Sequence, residues 1–528
     1  MPVVATEDGF TVRTQAQGAL KRLKPYSRRL AYYAILIFCC ISALRLAIQE
    51  GVGLFSLNER GYGDSYIFHT VQQFLKTGQL YPDLTGHDQL PSQYSPLLYL
   101  LLSAPLLVGA WENSYVGPRI MVLASFLACL VLIASISRKL IGRRAAAPVS
   151  MLLACSFDAL FQRQWPAQLR GDFPSICFAL LAIRLLLEDR PWSYALAGAA
   201  AGFALQFKLT YVAAGTAGFL WLIYQRKWKS LIAFMMAGAL TSLGVYAFML
   251  VREPHMLEHI LVLRSTVPDY PTVRRFLYQL GMEPVLLLGV AMIPLLAFRR
   301  WFQWSPLALY FLISFTLSTL LSIQAGANIN YFFESLFAIT PFAAAGVFWL
   351  RRRINDLSSV FLALLIWGFA IDPVVVSTIQ TMRLARHAPA QNRYLEQLRV
   401  EFSGKNVFST VGWASHLTQN VAISEPYLLS LLERRAKWDS SPWVAQIRQE
   451  RFDLVVADLP AQSWRGIPRI PPKIRAAIEE AYEPFCACPG ILLFHRRGEN
   501  PDSAGLARFA AIGCHAVACP NTAECQAW

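Results

Sequence analysis

The sequence predicts a polytopic α-helical membrane protein, with about eleven transmembrane helices and a small α/β domain outside the membrane. Three observations predict it. Of 528 residues, 55% are hydrophobic and only 15% are charged, whereas soluble chains average about 45–50% apolar and about 25% charged residues. Mean hydropathy is correspondingly high, at +0.39, as expected of a chain solvated largely by lipid. The net charge of +15 is gathered in clusters between apolar runs, the pattern of cytoplasmic loops rather than of a nucleic-acid surface. A soluble domain pair, a disordered chain and a fibre are thereby excluded.

Residues 1–30 are polar and basic, with Lys21, Arg22, Lys24, Arg28 and Arg29 ahead of the first span. No small-residue cleavage site follows a short apolar core, so that span is expected to remain as a signal anchor. The candidate spans are 31–49, 116–137, 146–162, 173–187, 193–207, 209–224, 231–251, 284–298, 305–323, 331–350 and 357–379. Between them fall Arg138, Lys139, Arg143 and Arg144, then Arg226, Lys227 and Lys229, then Arg299 and Arg300, and finally Arg351, Arg352 and Arg353. Placing every cluster inside sets the N-terminus in the cytoplasm and the C-terminus on the periplasmic or extracellular side of the cytoplasmic membrane.

Residues 96–110 are apolar but short, and carry Pro96 and Pro105. Counting them as a crossing would invert every later basic cluster. They are expected to lie at the outer membrane surface, within one large outer loop over 50–115. The membrane domain thus occupies 31–380. After residue 380, KNVFSTVGWASH, QNVAISEPYLLSLLE, RFDLVVADLP and GILLFHRR alternate short β runs with helical stretches, which predicts an extracytoplasmic α/β domain over 381–497. A variable tail, 498–528, follows. Cys39, Cys40, Cys129, Cys155 and Cys177 fall in spans and read as small apolar residues. Cys486, Cys488, Cys514, Cys519 and Cys525 lie outside, where disulfides form. Zinc is the weaker alternative for them, because no paired CxxC is present.

Ionisable groups at the outer ends of spans are the informative ones, since burying charge near lipid is costly. Asp64, in Gly61-Tyr62-Gly63-Asp64-Ser65-Tyr66, suits a general base toward an acceptor hydroxyl or amine, or a helix cap. Arg163, Arg170 and Asp172 precede span four, where arginines can also snorkel to the interface. Lys208 interrupts two apolar stretches at an outer turn, and reads either as a phosphate ligand or as a turn lysine reaching water. Glu334, in Asn328-Ile329-Asn330-Tyr331-Phe332-Phe333-Glu334, needs a partner or a water-filled cavity. The 252–282 loop adds Arg264, Arg274 and Arg275, suited to phosphate or to anionic lipid. His255 and His259 have helical spacing for a metal, though satisfied surface histidines fit it better. No P-loop, dinucleotide fingerprint, zinc finger or nucleophile elbow is present.

The order of these motifs resembles the GT-C fold glycosyltransferases. Asp64, then Gly78-Gln79-Leu80-Tyr81, then Tyr94-Ser95-Pro96-Leu97-Leu98-Tyr99 is similar to the first outer loops of glycosyltransferase families 39 and 87, the protein-mannosyltransferase type. Arg119, Arg170-Gly171-Asp172, Lys208-Leu209-Thr210 and Asn330-Tyr331-Phe332-Phe333-Glu334 also look like positions of these families. Two departures stand out: Ser65 follows Asp64 where many members have a second acid, and Gln93-Tyr94-Ser95-Pro96 replaces a His-Pro-Pro form.

The resemblance implies sugar transfer from a polyprenyl-phosphate carrier to a lipid, glycan or protein acceptor at the outer face. Membrane lipids are the other partner implied, and no nucleic acid is. Asp64 would be the catalytic base. Lys208, Arg170, Arg264, Arg274 and Arg275 would bind the donor phosphate, and Tyr66, Tyr94, Asp172, Asn330, Tyr331 and Glu334 would take the acceptor or shape the site. No cofactor is implied beyond a possible divalent metal ion, whose ligands the motifs leave open. A transporter would carry its polar groups at mid-membrane, and a non-catalytic scaffold for envelope polysaccharide assembly is the other alternative.

Overall fold

The computed structural model describes residues 32–57, 59–60, 63–83, 91–109, 114–161, 165–262, 268–324, 326–353, 356–418, 421–423, 426–458, 470–499 and 503–517. The N-terminal basic cluster, Arg163, Arg264, Asp88, Cys519 and Cys525 lie outside these residues.

Helix α1 (Tyr32–Leu54) leads into the expected outer loop, which contains α2 (Asp64–Thr77) and α3 (Pro96–Leu107) before α4 (Val116–Ile141) begins. The two ends of this loop meet. Arg119, in the first turn of α4, is fully buried and donates to the carbonyls of Gly53, at 3.0 Å, and of Ser56. The end of α1 and the start of α4 therefore share one end of the helical body. With 12 residues, α3 is too short to cross between them.

There follow α5 (Ala146–Ala154), α6 (Asp158–Phe161), α7 (Asp172–Leu186), α8 (Pro191–Leu205), α9 (Ala213–Tyr224) and α10 (Trp228–Arg252). Helices α8 and α10 touch backbone to backbone. A methyl group on Gly198 would strike the Phe234 carbonyl, and one on Gly202 would lie 2.6 Å from the Gly238 carbonyl. Small residues at four-residue spacing permit this approach. Next come α11 (Tyr270–Gly281), α12 (Pro284–Leu321), α13 (Phe333–Arg353) and α14 (Asp356–Phe402).

Among the described residues, five helices are long and apolar enough to cross a membrane by length and composition, or six if the bent pair of α11 with the first part of α12 counts as one. The expected number was about eleven. Several of the expected spans are helices of only 9, 15, 15 and 12 residues: α5, α7, α8 and α9. The expected spans 284–298 and 305–323 fall in the single helical run of α12, and 357–379 falls in the 47-residue α14. Much of this apolar character serves helix–helix contact: α7 buries ten of its 15 residues, from Asp172 to Leu186.

The opposite ends of the helices also gather. Lys139 pairs with Glu188 at 3.1 Å, Lys227 pairs with Asp189, and Arg143 lies over the Phe348 ring at 5.5 Å. Members of the Arg138–Arg144 and Arg226–Lys229 clusters thus sit at the end opposite to Arg119.

Beyond α14, which runs straight through residue 380, a six-stranded sheet forms. Its elements are β1 (Val407–Ser409), β2 (Val421–Ile423), α15 (Pro426–Arg434), α16 (Ser441–Arg448), β3 (Leu454–Asp458), α17 (Pro472–Ala481), β4 (Tyr482–Cys488), β5 (Ile491–Arg496), α18 (Ser503–Ala511) and β6 (His515–Ala516). The strand order is β2-β1-β3-β5-β4-β6, parallel from β2 to β3 and antiparallel beyond. Alternate residues face opposite sides. Phe408 and Val455 enter one core, whereas Val407, Leu454 and Val456 enter another, which also holds Leu398 and Phe402 of α14 and Tyr66 of α2. Cys488 and Cys514 form a disulfide, and Cys486 is a buried free thiol beside them.

Candidate active site

Two buried charge clusters lie at the Arg119 end of the helices. The first surrounds Asp64, which opens α2 after Gly63, whose φ of 104° is left-handed and suits glycine. Asp64 is fully buried. Its Oδ1 accepts the Leu169 amide at 3.2 Å and its Oδ2 the Arg60 amide at 3.4 Å. Burial pushes its pKa up, against the pull of Arg119, Arg170 and Arg60. Arg60 is itself fixed by an ion pair with Glu50 at 2.5 Å and a bond to the Gln49 carbonyl at 3.1 Å.

The second cluster centres on Asp172, at the start of α7. Lys208 Nζ and the Tyr211 hydroxyl each donate to its Oδ1 at 2.7 Å, and Asn330 Nδ2 donates to its Oδ2 at 3.0 Å. The Lys208 ammonium also stands 4.8 Å from the centre of the Tyr331 ring, a cation–π distance. Burial alone would depress Lys208, but Asp172 against it and nearby phenols hold it above its ordinary range. Gly171 allows this closeness, because a methyl group there would collide with the Phe207 carbonyl.

Arg170 lies between the two clusters and interacts with Tyr94, Asp64, Asp172 and Tyr331. Glu334, in the first turn of α13, faces Tyr310 and Lys208. Among the described residues Asn330 Oδ1 and Glu334 Oε1 are buried without a hydrogen-bond partner, as are polar atoms elsewhere in the molecule. Beside them lies a narrow cleft with room for about one water molecule, lined by Lys208, Thr210, Tyr211, Leu317, Ser318, Leu321, Tyr331 and Glu334. Its lining combines the Lys208 ammonium and the Glu334 carboxyl with the side chains of Leu317 and Leu321.

The structure therefore brings Asp64, Arg170, Tyr94, Asp172, Lys208, Asn330, Tyr331 and Glu334 into one connected group, from segments far apart in sequence. Arg274 and Arg275 do not enter its hydrogen bonding. Both are exposed on α11, with Arg275 over the Phe276 ring at 5.2 Å. Tyr66 does not line the cleft; its hydroxyl donates to the Thr410 carbonyl of the C-terminal α/β domain at 3.2 Å.

A divalent cation at these acids fits poorly. Three guanidinium groups crowd Asp64, and both oxygens of Asp172 already accept from donors. The His255–His259 pair is equally unsuited. His259 Nδ1 accepts the Ser92 amide at 2.9 Å, and its Nε2 donates to the Pro82 carbonyl at 2.6 Å. Burial pushes this ring down to about 4, so it stays neutral. Among the described residues, Cys486, Cys488 and Cys514 alone have metal-ligand spacing, and two of them are joined in the disulfide.

Several residues that shape the site were not singled out from the sequence. Glu253 receives the amides of Leu80 at 3.0 Å and Tyr81 at 3.1 Å, which bolts the loop between α1 and α4 to the end of α10. Glu283 does the same for Asp158 and Ala159, and burial pushes it up to about 8. Glu59, beneath Ser65, is pushed up to about 7 by burial. Their only local signal is an acid next to an apolar helix end.

No protein-family model matches this chain, and no curated protein matches it in sequence. Its fold is found in solved structures. ArnT from Cupriavidus metallidurans in the apo state matches with a TM-score of 0.57 at 12% identity, over 86% of this chain and 97% of that one. The same protein bound to undecaprenyl phosphate matches with a TM-score of 0.57 at 12% identity, over 88% and 99%. At this identity the likeness is one of fold. It agrees with the GT-C architecture that the motif order implies.

Proposed function

We propose that this protein is a membrane glycosyltransferase that moves a sugar from a polyprenyl-phosphate carrier to an acceptor at the outer face of the cytoplasmic membrane. The observation that carries the reading is the buried charge group in which Lys208 and Arg170 stand beside Asp172, with Arg170 also facing Asp64. A phosphate there would lie against Lys208 and Arg170, with its isoprenoid chain leaving past Leu317 and Leu321. Arg264, Arg274 and Arg275 would meet the head group on its way in.

The cations would stabilise charge developing on the departing phosphate. Asp64 would orient and deprotonate the acceptor, and direct displacement inverts the anomeric carbon. A carboxylate offers about four lone-pair sites, and backbone amides occupy one on each oxygen of Asp64, so acceptor hydrogen bonding remains open. The fold shared with ArnT, which has been seen with undecaprenyl phosphate, supports this donor class. Outward placement is supported by the basic clusters at the opposite end, which the positive-inside rule assigns to the cytoplasm.

The test is transfer by the purified full chain from a panel of radiolabelled polyprenyl-phosphate sugars. Lys208→Arg keeps the pair with Asp172 and should hold expression and Tm near wild type. Lys208→Ala, which removes the cation, should weaken donor use about ten- to a hundredfold, the worth of a charged hydrogen bond of roughly 1.5–3 kcal/mol. An unchanged dependence on donor concentration would leave Lys208 as a partner of Asp172 only. No transfer from any donor would turn the reading toward a scaffold.

A further inference from the structure

The outer domain does more than rest on the helices. Its turn after β1 presses against the two residues that follow Asp64. A methyl group at Gly412 would collide with Ser65 Oγ, come within 2.8 Å of Ser65 Cβ and stand 3.3 Å from Tyr66 Cε1. The backbone of Gly412 is not left-handed, so glycine is required there for closeness, not for its φ. One residue pair earlier, the Thr410 carbonyl accepts the Tyr66 hydroxyl at 3.2 Å. Thr410 is held from behind, since its amide donates to the Val456 carbonyl at 2.9 Å and its Oγ1 accepts the Asp458 amide at 3.1 Å.

The same seam reaches the loop in front of Asp64. Asn392, in α14, accepts the Leu57 amide at 2.9 Å and donates to the Phe55 carbonyl at 3.2 Å. Ser65 Oγ donates to Glu59, whose carboxyl feels both Asp64 and Asp458. Both flanks of Asp64 are thus clamped by residues from beyond the membrane helices.

We infer that the outer domain is a working part of the site, with Gly412 and Thr410 as positioning residues that hold Ser65 and Tyr66, and through them the Asp64 carboxylate, in register with the acceptor. The inference rests on the proposed role of Asp64. The Lys208–Asp172 half of the site is held by α7, the α8–α9 turn and the segment before α13, so donor binding stays independent of this seam.

Gly412→Ala in the full chain tests it, with Gly51→Ala as control, because nothing lies within 4 Å of a methyl group there. Gly412→Ala should lower kcat by about a hundredfold, the scale of a 1 Å misplacement at a reacting centre. KM for the lipid-linked sugar should stay within about twofold, since the lost interaction acts on the transition state. Adding Ser65→Gly removes the obstructing Cβ and should restore most of the rate. Hydrogen–deuterium exchange gives a readout free of any substrate. Peptides covering residues 59–77 should exchange faster in Gly412→Ala and slow again in the double variant, while α4 and α13 stay unchanged. Wild-type exchange in Gly412→Ala, or equal loss of kcat without rescue by Ser65→Gly, would overturn the inference. A wild type that transfers no sugar would unseat the proposed function instead, and the exchange comparison would then decide the positioning claim alone.

Discussion

Asp64 lies deep among arginines, and that position has consequences for its titration. Its pKa is raised by burial against the pull of Arg119, Arg170 and Arg60. A base must be ionised to act, so transfer should fail in acid as pH drops through a value above the ordinary aspartate range of about 3.9. Asp64→Asn should cost about 10²–10⁴-fold in rate with donor affinity kept, and Asp83→Asn, in the same loop, should stay active. Glu59 obeys the opposite logic for stability. Its folded pKa, about 7 against an ordinary 4.5, favours the protonated form, facing Asp64, Asp458, Tyr115 and Ser65. Its contribution is complete below pH 4.5 and lost as pH rises through about 7. Thermal unfolding of Glu59→Gln should therefore show a shallower decline in Tm between pH 5 and 8 than wild type. At this scale the sequence was informative where a charge contradicted its surroundings, as Lys208 and Glu334 do. It was silent on Glu253 and read His259 as a surface histidine, because their partners are backbone groups up to 173 and 177 positions away, and such pairing leaves no local pattern.

Helices follow a different rule of legibility. Hydropathy marked every apolar segment but could not say what covers it, since lipid and a neighbouring helix are equally apolar. Helix α10 shows lipid-like exposure, with only 6% of its apolar window buried, whereas the span beginning at Ile329 is 94% buried, and both read alike in sequence. Position 198 separates the two roles within one helix. Gly198→Val should drive a side chain into the Phe234 carbonyl and cost about 1–3 kcal/mol, as overpacking does. Leu196→Val on the exposed face of the same helix should be close to neutral. Thermal denaturation in detergent would distinguish them.

The whole molecule is an end-sorted body. Asp64, Asp172, Lys208 and Glu334 occupy one end, and Lys139, Arg143 and Lys227 the other, as the alternation of basic clusters led us to expect. The orientation in the cell follows as a prediction: Arg144→Cys should resist a membrane-impermeant thiol reagent in intact cells, and Arg451→Cys should react. Labelling of position 144 from outside would invert the molecule and place its site in the cytoplasm. The α/β pattern of the C-terminal domain was legible from its alternating strands. Its grip on Ser65 and Tyr66 was not, because no periodicity links one strand to a helix so distant in the chain.

That distance also sets a clock. Tyr66 and Thr410, which meet through one hydrogen bond, are 344 residues apart. At about 5–20 residues per second of synthesis, the turn that braces the Asp64 helix leaves the ribosome roughly 17–70 s after the helix itself. Over that interval the remaining helices, α3 to α14, are made first, and the brace is added last. Termination between Phe402, the end of α14, and Thr410 should then yield a product that inserts with all its helices yet does not turn over, so competence waits on the stretch of message after the last membrane helix.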